Sequence, residues 1–205
     1  MDIKLQDQQP EKIKTGLLAI PVREKRLDDP ALRRLDRLLG GGLQTRIKQA
    51  QFTGADGSSV AYGTGGRAGA ANILLIGLGK PEEIGADAWR KAGARARKEA
   101  ASLAVEDFAF YFAPEKNEET AAGAVAEGAL LASYQFHKYR SDGKPRSEVR
   151  SMTLFRSGLG RSAGLKRAID LAVETVPGVF AARDLVNEPP SVANARFIGE
   201  AAQRL

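Results

Sequence analysis

The sequence predicts an α/β fold in which a mixed sheet is sandwiched between helices. Three observations predict it. Ile73, Leu74, Leu75 and Ile76 form an unbroken apolar run with no period of two. Both faces of that segment therefore need cover, the mark of an interior strand with helices on each side. Gly77 and Gly79 punctuate the run, Pro81 forbids its continuation, and a helical pattern follows from about Ile84 to Leu103. Strand-like and helical stretches alternate over Thr15–Phe155 as a whole.

In chain order, Ile3–Gln6 alternates weakly and reads as a short edge strand, broken by Gln8, Gln9 and Pro10. Thr15–Val22 is a second apolar run, a buried strand ended by Pro21. Asp28 or Asp29 can cap a helix whose first residue is Pro30. Leu32, Leu35, Leu38 and Leu39 give that helix its apolar face, and Gly40–Gly42 stops it. Leu43–Phe52 is too short to assign. Gly54–Gly57 reads as a turn, Ser59–Tyr62 as a strand, and Gly63–Gly69 as a connection into the Ile73–Ile76 strand.

In the helix after Pro81, Ala88, Ala92, Ala96 and Ala100 fall one turn apart, small enough for close approach to a sheet. Asp107–Phe112 is aromatic and strand-like. Glu118–Tyr139 reads as one long helix with Ala122, Val125, Ala126, Ala129 and Leu130 inward. Ser141–Ser147 is a polar loop, Val149–Phe155 a further strand, and Gly158–Gly164 a glycine-rich turn. A helical pattern from Leu165 to Asn187 contains Pro177-Gly178, which should kink or split it. A last helix begins near Asn194.

The 205 residues suffice for one good core or for one domain with an appendage. The balance of 43% hydrophobic and 27% charged residues is that of an ordinary soluble globular protein. With no cysteine, disulfides, thiolate metal sites and cysteine nucleophiles are excluded. No secretory signal is visible in Met1–Gln6 and no apolar run approaches membrane-spanning length, so a cytoplasmic location is expected. The net charge of +6 permits attraction to an acidic partner. Arg90, Lys91, Arg95, Arg97 and Lys98 are the candidate nucleic-acid contacts, although a solvated helix face explains them as well.

Several motifs invite a catalytic reading. Gly160-Arg161-Ser162-Ala163-Gly164 fits G-x-S-x-G, but the lone histidine, His137, lies upstream of Ser162. Gly63–Ala68 and Gly158–Ala163 fit G-x-G-x-x-A without following the dominant strand. Gly77–Lys80 follows it but lacks the Ser or Thr of a phosphate-binding loop. Asp28-Asp29, Glu82-Glu83 and Glu118-Glu119 precede helical patterns, where acids offset the helix dipole. None is a convincing catalytic set.

Three stretches together carry a resemblance. They are Ile73–Lys80 (Ile-Leu-Leu-Ile-Gly-Leu-Gly-Lys), Glu127–Tyr139 (Glu-Gly-Ala-Leu-Leu-Ala-Ser-Tyr-Gln-Phe-His-Lys-Tyr) and Ala182–Pro190 (Ala-Arg-Asp-Leu-Val-Asn-Glu-Pro-Pro). Their order and spacing resemble the N-terminal region of the leucyl (cytosol) aminopeptidase family of metalloexopeptidases, over essentially the whole chain. The resemblance implies a macro-domain-like α/β domain over residues 1–163, a linker helix over 164–190, and the start of a truncated catalytic domain over 191–205.

It also implies a parent enzyme with two divalent metals, manganese or zinc, and typically a homohexamer. The family's Asn-Thr-Asp-Ala-Glu-Gly-Arg-Leu motif is absent here, so no catalytic, cofactor or metal residue carries over. The chain alone is expected to be inactive, its partners being its own catalytic domain and further copies. Arg183, Asp184 and Asn187, on adjoining turns, are expected to set the domain junction. The alternative of a different class is a nucleic-acid-binding module using the basic surface.

Overall fold

The computed structural model describes residues 1–112, 117–139, 148–158, 160 and 162–203. Six strands form one sheet: β1 (Asp2–Asp7), β2 (Thr15–Val22), β3 (Ser59–Gly63), β4 (Ala70–Gly77), β5 (Asp107–Tyr111) and β6 (Ser151–Arg156). Their spatial order is β1-β6-β5-β2-β4-β3. All neighbours are parallel except β3, which runs antiparallel to β4 at one edge. The helices are α1 (Pro30–Leu38), α2 (Gly42–Gln49), α3 (Ala86–Ser102), α4 (Glu118–Leu131), α5 (Ala163–Asn187) and α6 (Ala195–Ala202). The sheet is mixed and covered by helices on both faces, as the apolar run predicts.

Strand alternation sorts the core into two layers. Leu17 and Ala19 of β2, Leu74 and Ile76 of β4, Phe108 and Phe110 of β5 and Met152 and Leu154 of β6 meet α3, α4 and α5. Leu18, Ile20, Ile73, Leu75, Ala109, Tyr111 and Phe155 point the other way, onto α1 and α2. Ile73–Ile76 is fully buried on both sides. Its strand is interior but stands next to the edge, with β2 and β5 nearer the middle. Pro21 does not end β2, which continues to Val22 beside β4. The β5 ladder stops at Ala19, so the residue without an N–H lies past its last β5 partner.

Asp29 caps α1, its Oδ1 accepting from the Ala31 N–H at 2.7 Å, with Pro30 in the first turn. Gly40 and Gly41 have φ of +65° and +82°, ending α1 and opening α2 at once. The unassigned stretch after Gly42 is thus a helix, anchored by buried Leu43 and Ile47. α3 and α4 approach so closely that Gly93 lies on the Val125 backbone and Gly128 on the Arg90 backbone.

Two helix expectations are corrected. α4 ends at Leu131 rather than Tyr139. Ser133 Oγ donates to the Leu130 carbonyl at 2.7 Å, competing for a terminal acceptor, and the Tyr134 ring turns onto Phe180. α5 runs unbroken through Pro177-Gly178. Both residues are exposed, so solvent reaches the acceptor that Pro177 leaves unused, while Ala172 and Val176 hold the helix down. The polar loop expected over Ser141–Ser147 lies outside the described residues. No described helix is long and apolar enough to cross a membrane.

Candidate functional site

The segment after α4 and the C-terminal half of α5 build a polar and aromatic cluster. Tyr134 is its hub: its hydroxyl donates to Asp184 Oδ1 at 2.8 Å and accepts from Asn187 Nδ2 at 2.9 Å. Arg183 lays its guanidinium over the Tyr134 ring at 5.3 Å and reaches the Leu131 carbonyl at 3.4 Å. Phe180 packs on the same ring at 5.2 Å. Arg183, Asp184 and Asn187 are thus brought together through a residue that sequence reasoning did not single out.

One turn on, Glu188 accepts from Lys138 Nζ at 2.6 Å and from the Tyr139 hydroxyl. Its side chain is only 5% exposed. Lys138, then Tyr139, hold the Glu188 carboxyl below the usual carboxylate range. The same bonds raise Lys138 and Tyr139. Burial, then the Asp184 bond, raises the Tyr134 phenol. A groove of about 660 Å³ runs beside this cluster between α5 and α6, with Phe136, Leu185 and Phe197 among its walls.

The helix α3 set is dispersed. Arg90 pairs with Glu127 at 3.0 Å and Asp87 at 3.5 Å, and Lys91 pairs with Asp87 at 2.9 Å. Arg95 donates to Ser59 Oγ at 2.7 Å. Arg97 is 5% exposed, and burial lowers its guanidinium against the opposing charge of Glu148. Of the five, Lys98 is the cation that stands exposed with neither a side-chain hydrogen bond nor an ion pair among the described residues.

Of the remaining motifs, Gly63–Ala68 resolves into a turn. Gly63–Ala68 joins antiparallel β3 to β4, with Thr64 Oγ1 donating to the Ala70 carbonyl at 2.8 Å, so it has no helix to aim at a phosphate. Ser162 precedes α5 and makes no capping bond. Arg161 of that motif lies outside the described residues. His137 is exposed, its Nε2 against Gln135. Among the described residues no three His, Cys, Asp or Glu side chains converge as a metal site would require.

This arrangement defines a class: a mixed α/β domain whose long helix α5 runs on past its core and carries a polar cluster on the extension. Residues 19–143 match the cytosol aminopeptidase family, N-terminal domain. The chain is 34% identical to a probable cytosol aminopeptidase of Syntrophotalea carbinolica, over 94% of this chain and 40% of that protein. It is 28% identical to the chloroplastic neutral leucine aminopeptidase of Solanum lycopersicum, over 88% of this chain and 32% of that protein.

A mutant of tomato leucine aminopeptidase superimposes with a TM-score of 0.85 at 26% identity, over all of this chain and 41% of that one. The manganese complex of the bottromycin maturation enzyme BotP shares the fold, with a TM-score of 0.66 at 20% identity, over 93% and 36% of the two chains. The chain belongs to the cytosol aminopeptidase family and is its N-terminal domain. It spans 40% or less of the length of these two curated relatives.

Proposed function

We propose that this domain is the non-catalytic part of a leucyl aminopeptidase, a metal-dependent cytoplasmic enzyme that removes N-terminal residues from peptides. The domain contributes to assembly of a homohexamer and to access at an active site built elsewhere. Residues 1–163 are the α/β body, 164–190 the linker helix, and 191–205 the entry to the catalytic domain. Two divalent metals, manganese or zinc, belong to that catalytic domain, where they polarise the scissile carbonyl and activate water.

One observation carries this reading: from Pro177 to Gln203 no described apolar residue is buried. The second half of α5 and all of α6 nonetheless keep their form, and they expose Val179, Val186 and Ile198. Apolar side chains held out on an ordered extension suit a partner surface. Arg183, Asp184 and Asn187 fix the direction in which that extension leaves the body. The purified chain, supplied with manganese and a leucine anilide, should release no product. Hydrolysis that scales with the amount of this chain would overturn the proposal.

A further inference from the structure

In open α/β sheets, ligands settle outside the carboxyl ends of strands where the chain leaves neighbouring strands towards opposite faces. β2 and β4 are such neighbours. β2 leads to α1 on one face of the sheet, and β4 leads to α3 on the other. A crevice of about 270 Å³ opens at this point, with Arg23, Arg26, Asp28, Arg33 and Trp89 in its walls. It lies on different elements from the junction cluster.

The charge in the crevice is unbalanced. Arg26 and Arg33 make no side-chain hydrogen bond or ion pair among the described residues. Of the two acids in the wall, Asp29 has one oxygen committed to the Ala31 N–H. Burial, then the charge of Arg26, depresses the Arg23 guanidinium, with Asp29 opposing. Like charges gathered in a partly dry cleft are relieved by an anion. Arg26 and Arg33 also border a wider, shallower depression that carries Lys25 and Arg37, so the basic surface continues outward.

We propose that this crevice binds a small phosphate-bearing molecule, its phosphate held by Arg26 and Arg33 with Arg23 behind them. The planar guanidinium fork matches phosphate oxygens two at a time. The crevice is at the lower limit for a ligand pocket, so it takes the phosphate and a short adjoining part, and the remainder extends over the open depression. Trp89, the chain's sole tryptophan, reports occupancy directly.

The test titrates the full chain with inorganic phosphate, pyrophosphate and AMP, followed by Trp89 fluorescence and calorimetry at two salt concentrations. Saturable binding is expected, tighter for pyrophosphate than for phosphate and weaker at high salt. The double variant R26Q/R33Q should weaken it about tenfold or more, since each substitution removes a charge-assisted bond. Asp28→Asn should tighten it several-fold by removing the opposing carboxylate. Lys98→Gln, on the far surface of α3, should leave it unchanged. No saturable response to any of the three probes would overturn the proposal. So would an R26Q/R33Q variant with an unaltered circular dichroism spectrum and unaltered affinity, or equal weakening by Lys98→Gln.

Discussion

Replacing Gly128 with alanine should destabilise the domain, although alanine is the better helix former. A Cβ at position 128 would stand 2.7 Å from the Arg90 carbonyl carbon and 3.0 Å from its Cα. These are backbone atoms of α3, with no rotamer to move, so the two helices must separate. Overpacking of this kind costs about 3 kcal/mol, at the upper end of the usual range. The gain in helix propensity returns about 1 kcal/mol. The net loss is about 2 kcal/mol, which lowers Tm by about 4–8 °C for a chain of this size.

Gly93→Ala should behave alike, its Cβ falling 2.9 Å from the Val125 carbonyl carbon. Gly178→Ala supplies the opposite sign: it lies in α5 with nothing within 4 Å, so it should gain about 0.5–1 kcal/mol. Scanning calorimetry on the three variants measures all of this. A Gly128→Ala protein melting at or above the parent temperature would refute the backbone-to-backbone crossing of α3 and α4.

Other outcomes follow from the junction cluster. Tyr134→Phe removes the hydroxyl shared by Asp184 and Asn187. It should cost about 0.5–1.5 kcal/mol per bond lost, read as faster hydrogen exchange in 132–139 and the end of α5 with the sheet unaffected. The Glu188 carboxyl is depressed, so its contribution is present above the ordinary carboxylate pKa and is lost as pH falls through the lowered folded value. Exchange protection of the Lys138–Glu188 contact should therefore fail on the acid side, and Glu188→Gln should flatten that dependence. Val186 is 84% exposed, so Val186→Lys should shift the stability of this chain by no more than about 0.5 kcal/mol. In the proposed homohexamer the same change should impair assembly, visible by sedimentation.

The sheet was legible because its signals are local. Ile73–Ile76 shows no alternation since both faces are covered, and Asp29-Pro30 states its own cap. The end of α4 was not legible, because what stops it is tertiary: Tyr134 is drawn off to α5, and only the fold brings Tyr134 to Asp184. Two of the three stretches that carry the family resemblance, Glu127–Tyr139 and Ala182–Pro190, meet there, but nothing in their spacing says so. Gly93 and Gly128 carry no special mark in the sequence and prove to be the contact that lets α3 and α4 close up. Arg23, Arg26 and Arg33 passed unmarked because the crevice between them exists only once β2 and β4 lie side by side.

The layout of α5 ties these observations to function. Its buried residues, Leu165, Ile169, Ala172 and Val176, all fall before Pro177. They follow helical spacing onto α4, and they end where the proline ends the need for an inward face. A short helix with no buried face is marginal in water, so the turns after Pro177 require another source of order. Among the described residues that source is the segment following α4, which meets α5 through Tyr134, Lys138 and Tyr139. The domain thus uses its own polar groups to hold a helix beyond its core while leaving Val179 and Val186 to solvent. A domain complete in itself gains nothing from such an extension. One that must present a helix to a larger body at a fixed angle gains rigidity before contact is made, and so loses less conformational freedom on docking.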